Sequence, residues 1–306
     1  MSEEHRKRVL VTGANGFQGG AVARLLAAQG HDVRGLVQDE AKAAASPTPG
    51  VTPVRGDLGS TGELRAAFAG VTHAIVVMPL EYDPEVVSRY AHNIAEAAQE
   101  AGVRRLVYNA NVPVPAETTP YAGLETRRRA QEVLLACPVP AVVIRPPVYL
   151  ENLFSPWNGP AIVNDGVLAY PLPAEQPVAW MSHDDLARVL VRALDEEVPA
   201  GLVLDVGGAD VLTGPELAAA FGQALGRDVG YVPLEVARFE EGLGQAIGAP
   251  AAAGVAGVYH YVGEGRAGDF LAPSPAQVEA TLGIRLTPVV EWIKAQPWEN
   301  WARPAE

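Results

Sequence analysis

The feature that most constrains this chain is an alternation along its first 150 residues. Short apolar runs at 8–12, 32–37, 51–55, 73–78, 105–109 and 141–145 are separated by helix-length stretches at about 17–29, 60–69, 84–101 and 122–136. The runs are continuously apolar, which is how a strand reads when both of its faces are buried. Strands joined through helices must run parallel, because a tight hairpin cannot return the chain to the same edge. Within 84–101, Ile94, Ala97, Ala98 and Ala101 recur at helical spacing. The pattern predicts an α/β fold: a doubly wound, Rossmann-like parallel sheet with helices on both faces.

After Pro146 the texture changes. Residues 146–180 hold many prolines and aromatics with little periodicity, which reads as irregular chain or substrate-facing loops. Helix starts are expected at Ser182-His183-Asp184-Asp185, Thr213-Gly214-Pro215-Glu216 and Ser274-Pro275-Ala276-Gln277, where a hydroxyl precedes the helix. Asp184 and Asp185 suit the positive end of a helix dipole. Thr287-Pro288 opens a last helix, and the Ala- and Gly-rich segment 248–265 reads as a pliable helix or a lid. The expected division is a dinucleotide-binding domain at 1–150, with 181–207 packing back on it. A smaller α/β substrate- or partner-binding region would comprise 151–180 and 208–306.

Composition narrows the function classes. Hydrophobic residues are 48% of the 306 and charged residues 19%, so a disordered chain is excluded. The net charge of −13 disfavours nucleic acid and anionic membrane as partners. One cysteine, Cys137, rules out an internal disulfide framework, and the six histidines show no metal-ligand spacing. The first apolar run is too short for a signal peptide and no segment reaches 18 apolar residues, so a cytoplasmic location is expected.

The strongest motif is Val11-Thr12-Gly13-Ala14-Asn15-Gly16-Phe17-Gln18-Gly19-Gly20, with glycines at 13, 16 and 19. It follows the first strand and opens an amphipathic helix, the context in which such a triplet binds a dinucleotide. Gly13 makes the tight turn, Gly16 lets a pyrophosphate approach the helix N-terminus, and Gly19 lets the helix pack closely. Asn15, Phe17 and Gln18 belong to the same turn.

The spacing resembles that of the short-chain dehydrogenase/reductase superfamily. The string Gly16-Phe17-Gln18-Gly19-Gly20-Ala21-Val22-Ala23-Arg24 is similar to its atypical NmrA-like branch. Asp32 to Val37, Gly56-Asp57-Leu58, Arg145-Pro146-Pro147-Val148-Tyr149-Leu150-Glu151-Asn152-Leu153 and His183 to Ala187 extend the resemblance to about residue 195. That branch includes NADPH-sensing regulators and quinone reductases. The resemblance implies an NAD(P) cofactor and leans toward NADP, although Gln38 stands where NADP-preferring relatives usually have Arg. Arg34 or Lys42 could reach a 2′-phosphate, Asp39 could accept from the ribose of NAD, and Asp57 could face the adenine amino group or form a turn. Met78, Pro79, Asn109, Val148 and Tyr149, at strand ends, are assigned to the rest of the cofactor.

The superfamily's usual chemistry needs a Tyr-x-x-x-Lys pair. Counting back from Arg145-Pro146, those positions hold Gly123 and Arg127, and the serine region reads Tyr108-Asn109-Ala110-Asn111. Tyr121, two residues earlier, and Arg127 remain the candidate catalytic pair, with Arg127 also able to hold ribose hydroxyls. Their bland alternative is a helix-start aromatic beside a solvated face. Met78, Pro79, Leu80, Tyr149, Phe154, Trp157 and Trp180 could line a flat apolar ligand. Three functions follow: hydride transfer to a small aromatic or conjugated substrate such as a quinone or enone; a redox sensor acting on a regulatory protein partner; or sugar-nucleotide epimerisation.

Overall fold

The computed structural model describes residues 6–39, 48–265 and 268–303. The chain divides into two compact units, Met1–Pro146 with Leu186–Asp205, and Pro147–Asp185 with Val206–Glu306.

In the first unit, β1 (Arg8–Val11), α1 (Phe17–Ala28), β2 (Asp32–Val37), β3 (Val51–Arg55), α2 (Thr61–Phe68), β4 (His73–Val77), α3 (Pro84–Glu100), β5 (Arg105–Asn109), α4 (Ala122–Ala136) and β6 (Ala141–Arg145) follow one another. The six expected strands are all present, and the four helices end within about a residue of where periodicity puts them. Later in the chain come β7 (Val167–Tyr170), which lies in the second unit, then α5 (His183–Arg192) and β8 (Val203–Asp205). One seven-stranded sheet has the order β3-β2-β1-β4-β5-β6-β8, every pair parallel. β8 carries no sequence signal of its own, because three residues are too few to show a period.

Burial explains the continuous apolar runs. Val9, Leu10 and Val11 are fully buried, and every residue of β4 and β5 is buried. On one face Leu10, Phe68, Ile94, Leu106 and Leu134 share a single core. Helix α3 starts where Asp83 Oδ1 accepts the N–H groups of Glu85 and Val86, with Pro84 in the first turn. It buries Val87, Ala91, Ile94 and Ala98, one face at helical spacing. Arg105, buried at the start of β5, donates to the carbonyls of Asp195 and Val198, which ties the segment before β8 to the sheet.

The second unit departs from expectation. Its Pro-rich opening is not wholly irregular: β7 pairs in parallel with β9 (Gly230–Pro233), and short helical turns form at Leu150–Asn152 and Ala161–Asp165. Around them lie α6 (Gly214–Leu225), α7 (Val236–Ile247), α8 (Ala249–Gly263), α9 (Pro275–Leu282) and α10 (Val289–Ala295). Thr213 and Glu216 form the expected reciprocal cap, and Ser182 Oγ accepts from Asp185 N–H. Ser274 makes no side-chain cap, so α9 rests on Pro275 alone for its local start. Segment 248–265 is packed helix, with Tyr259 and Tyr261 buried. Trp298 gathers Phe154, Phe221 and Trp292 edge-on at 5.0, 5.3 and 6.3 Å. Among the described residues no helix is long and apolar enough to cross a membrane.

His73 makes the first unit sensitive to acid. It is 1% exposed in β4, with Nδ1 2.8 Å from Thr72 Oγ1. Burial, aided by the nearby cations of Arg104 and Lys7, pushes its pKa down from 6.5 to about 4. Above pH 6.5 both folded and unfolded chains hold it neutral; between 6.5 and 4 only the unfolded chain takes the proton. Stability therefore falls as pH falls through that window, by on the order of 3 kcal/mol from this group. His73→Gln should lose less stability than the parent between pH 7 and about 4.5 in urea titrations. Parallel losses in the two proteins would contradict this.

Candidate functional site

The site grows from the end of β1. Thr12, 2% exposed, donates its hydroxyl to Val77 O and accepts from Val77 N, both at 2.8 Å, so the ends of β1 and β4 are locked together. The sheet order reverses between these two strands, and in open α/β sheets ligands bind in the crevice left there. Gly13 then turns with φ +65°, a left-handed conformation that an L side chain resists. Its carbonyl accepts from Gly16 N–H at 2.9 Å. A Cβ on Gly19 would lie 2.3 Å from Gly13 O, so α1 can approach the turn only with glycine at 19.

Gly16 is different. Its backbone is ordinary extended chain, φ −88° and ψ 174°, and an added Cβ would meet only Gly13 O, at 3.3 Å. The backbone conformation there does not itself require glycine, and an added Cβ would press on that one carbonyl alone. Asn15, Gly16 and Phe17 are exposed, and no side chain caps the N-terminus of α1. First-turn N–H groups beside a glycine can receive a pyrophosphate where no side chain caps the helix. The turn fits a dinucleotide.

The other strand ends divide. Gln38 and Asp39 are exposed after β2. Arg34 is not brought to them: its guanidinium donates to the carbonyls of Ala67 (3.3 Å) and Ala69 (2.7 Å) at the end of α2. Lys42 lies outside the described residues. Asp57 is exposed and accepts from Gly59 N–H at 2.7 Å, so one carboxylate oxygen holds the turn that follows β3. After β4, Met78 is buried while Pro79 and Leu80 are exposed.

Asn109 is fully buried and donates to Gln18 Oε1 at 2.6 Å, bringing the glycine turn and the end of β5 together across 91 residues of sequence. Its side-chain oxygen, Oδ1, accepts from Asn111 N–H at 3.0 Å. Asn111 is the only non-glycine with positive φ (65°) among the described residues, and it reaches Met78 O at 3.4 Å. Sequence reasoning did not single it out. An Asn at a strand end, tolerant of left-handed backbone, was the available signal.

Tyr121 caps α4 with its backbone carbonyl and is half buried. Arg127 is 1% exposed, so the solvated-face reading does not hold for it. It donates to Pro79 O (2.9 Å) and Glu81 O (3.1 Å), and it lies 4.7 Å over the Tyr82 ring. These bonds go to the segment after β4 rather than to Tyr121.

In the second unit, Val148 and Tyr149 are buried, with the Tyr149 ring 4.8 Å from that of His183. Glu151 accepts from His183 N–H at 2.8 Å, and burial pushes its carboxyl up to about 7. Of the residues expected to line a ligand, Trp180 is packed instead, 3% exposed and edge-on to Tyr170, while Phe154, half-buried, meets Trp298 and Trp301 edge-on. Trp157 remains 61% exposed.

The profile of the NmrA-like family matches residues 5–301. An NAD(P)H azoreductase of Xenophilus azovorans is 32% identical over 238 residues, 77% of this chain and 80% of that protein. Quinone oxidoreductase 2 of Escherichia coli is 25% identical over 244 residues, 79% of this chain and 82% of that one. In structure, the Citrobacter triphenylmethane reductase complexed with NADP(H) superposes with a TM-score of 0.75 at 23% identity, over 94% of this chain and 99% of that one.

The two glycines should fail in different ways. Gly16→Val should stay folded but lose the thermal stabilisation that added NADPH or NADH gives the parent. Gly19→Ala should lower the melting temperature without any cofactor, since its Cβ has nowhere to go. Undiminished cofactor stabilisation in Gly16→Val would remove the pyrophosphate from this turn.

Proposed function

The chain belongs to the NmrA-like family, and we propose that it is an NAD(P)H-dependent reductase of small conjugated or aromatic acceptors, quinones foremost. The observation that carries this is Gly16, a glycine in ordinary extended backbone, exposed beside the uncapped helix start at the point where the sheet order reverses. The azoreductase and quinone oxidoreductase relatives support the acceptor class, because azo compounds and quinones are both flat and conjugated. When bound, the reduced nicotinamide supplies the hydride. The residues of the chain hold it. The turn from Gly13 to Gly19 takes the pyrophosphate, and Gln38 with Asp39 faces the adenine ribose, with NADP the favoured form. Asn109 and Gln18 fix the border between turn and β5.

An acceptor that spreads the incoming charge over a conjugated system needs little help with its proton. Tyr121 is the proposed donor at the acceptor side, assisting rather than enabling. A positioned acid typically contributes about 10²–10⁴-fold, and an imperfectly placed one less. Tyr121→Phe should therefore lower turnover by less than about tenfold.

Oxidation of NADPH and NADH with a panel of quinones and azo dyes tests the reading. The expected result is turnover with at least one quinone. Tight cofactor binding with no turnover on any acceptor would overturn it in favour of a sensor that signals to a protein partner. Gln38→Arg should raise the preference for NADPH over NADH by about tenfold or more, as a charge-assisted bond to the 2′-phosphate forms. Titration of both cofactors into both proteins checks this, and an unchanged ratio would place position 38 away from the ribose.

A further inference from the structure

We propose that Arg127 is a positioning residue: it fixes residues 79–82 after β4 and so presents Leu80 as the apolar platform on which the acceptor rests. The inference builds on the reductase reading and names the acceptor's contact within it.

The geometry starts from a buried charge. Arg127 is 1% exposed, and among the described residues it forms no ion pair with a carboxylate. Its guanidinium is compensated instead by two carbonyl oxygens, Pro79 O at 2.9 Å and Glu81 O at 3.1 Å, and by the face of Tyr82, 4.7 Å away. Only a planar fork offers two parallel N–H donors and a stacking face together. The two carbonyls belong to residues flanking Leu80. The leucine between them is itself 52% exposed. The same segment is held at its root by Asn111, whose amide reaches Met78 O.

A lone exposed leucine means nothing by itself. This one stands on backbone held through three carbonyls, those of Met78, Pro79 and Glu81. It follows directly from β4, the strand locked to the phosphate turn through Thr12 and Val77. A fixed apolar surface at that edge suits a flat ring system. Arg127 thus occupies the superfamily's lysine position with a different task, since its donors face backbone carbonyls.

The test separates this from a proton-relay or ribose-binding role. Arg127→Lys keeps the charge but cannot serve both carbonyls and the ring. Its amides at 80–82 should exchange hydrogen faster than the parent's. Its KM for a naphthoquinone should rise about fivefold or more, with cofactor affinity within about twofold and the pH profile of kcat unmoved. Leu80→Ala should show the same rise in KM with unchanged cofactor affinity and melting temperature. The double variant should be no worse than Leu80→Ala, because both act through one side chain. Calorimetric binding of 1,4-naphthoquinone to the NADP⁺-loaded proteins reads the platform without turnover: binding should weaken in both variants. A parent that binds naphthoquinone yet does not reduce it would sink the reductase reading alone. Unchanged KM and naphthoquinone affinity in Leu80→Ala, or a shifted pH profile in Arg127→Lys, would overturn the platform.

Discussion

One hydroxyl sets up everything at the carboxyl edge of the sheet. When β1 ends, its neighbour β4 is left with a buried N–H and C=O at Val77 and no strand residue to meet them. Thr12 satisfies both with a single Oγ at 2.8 Å, so the backbone can leave the sheet without stranding a polar group. Because the chain departs there, Gly13 can turn back and α1 can start against the strand ends. The crossovers on the two sides of β1 and β4 diverge, and the gap between them stays open. Gly19 closes the helix onto the turn, while Gly16 leaves its own position unfilled.

What was legible in the chain follows from how locally each feature is caused. The six long strands and four helices of the first unit could be read because two-sided burial makes a strand continuously apolar and a helix periodic. β8 joins the same sheet with only three residues, and its place depends on Arg105 reaching the carbonyls of Asp195 and Val198, a contact between segments far apart in sequence. β7 lies within the proline-rich stretch and β9 well beyond it, and a two-stranded parallel pair of four residues each leaves no long apolar run to read. Caps divided in the same way. Thr213 has Glu216 three residues on to complete the exchange, whereas Ser274 has the spacing without the bond.

The turn from Gly13 to Gly19 was legible because glycine at 13 and 19 is a local demand of backbone geometry. Side-chain directions were not. Arg34 has the charge to hold a phosphate, yet the carbonyl ends of α2 claim it first. Gln18 and Asn109 look like independent polar residues until the sheet brings them to 2.6 Å. Phe154 and Trp180 look like a ligand wall, and aromatic content alone cannot tell a wall from a core. Arg127 was found by counting, but its role depends on what surrounds the guanidinium.

The absence of the Tyr-x-x-x-Lys pair then acquires a physical meaning. That pair matters most when the reduced product carries a localised oxyanion that must be protonated as it forms. An acceptor that delocalises the charge removes most of that need, and the remaining barrier is one of approach: two flat rings must meet at contact distance. Holding reactants in register can lower a barrier by about 7–11 kcal/mol, more than the roughly 3–5 kcal/mol that 10²–10⁴-fold acid catalysis represents. A site freed from making a phenolate can use its cation for rigidity. A buried guanidinium bonded to Pro79 and Glu81 supplies rigidity where a free lysine would supply charge.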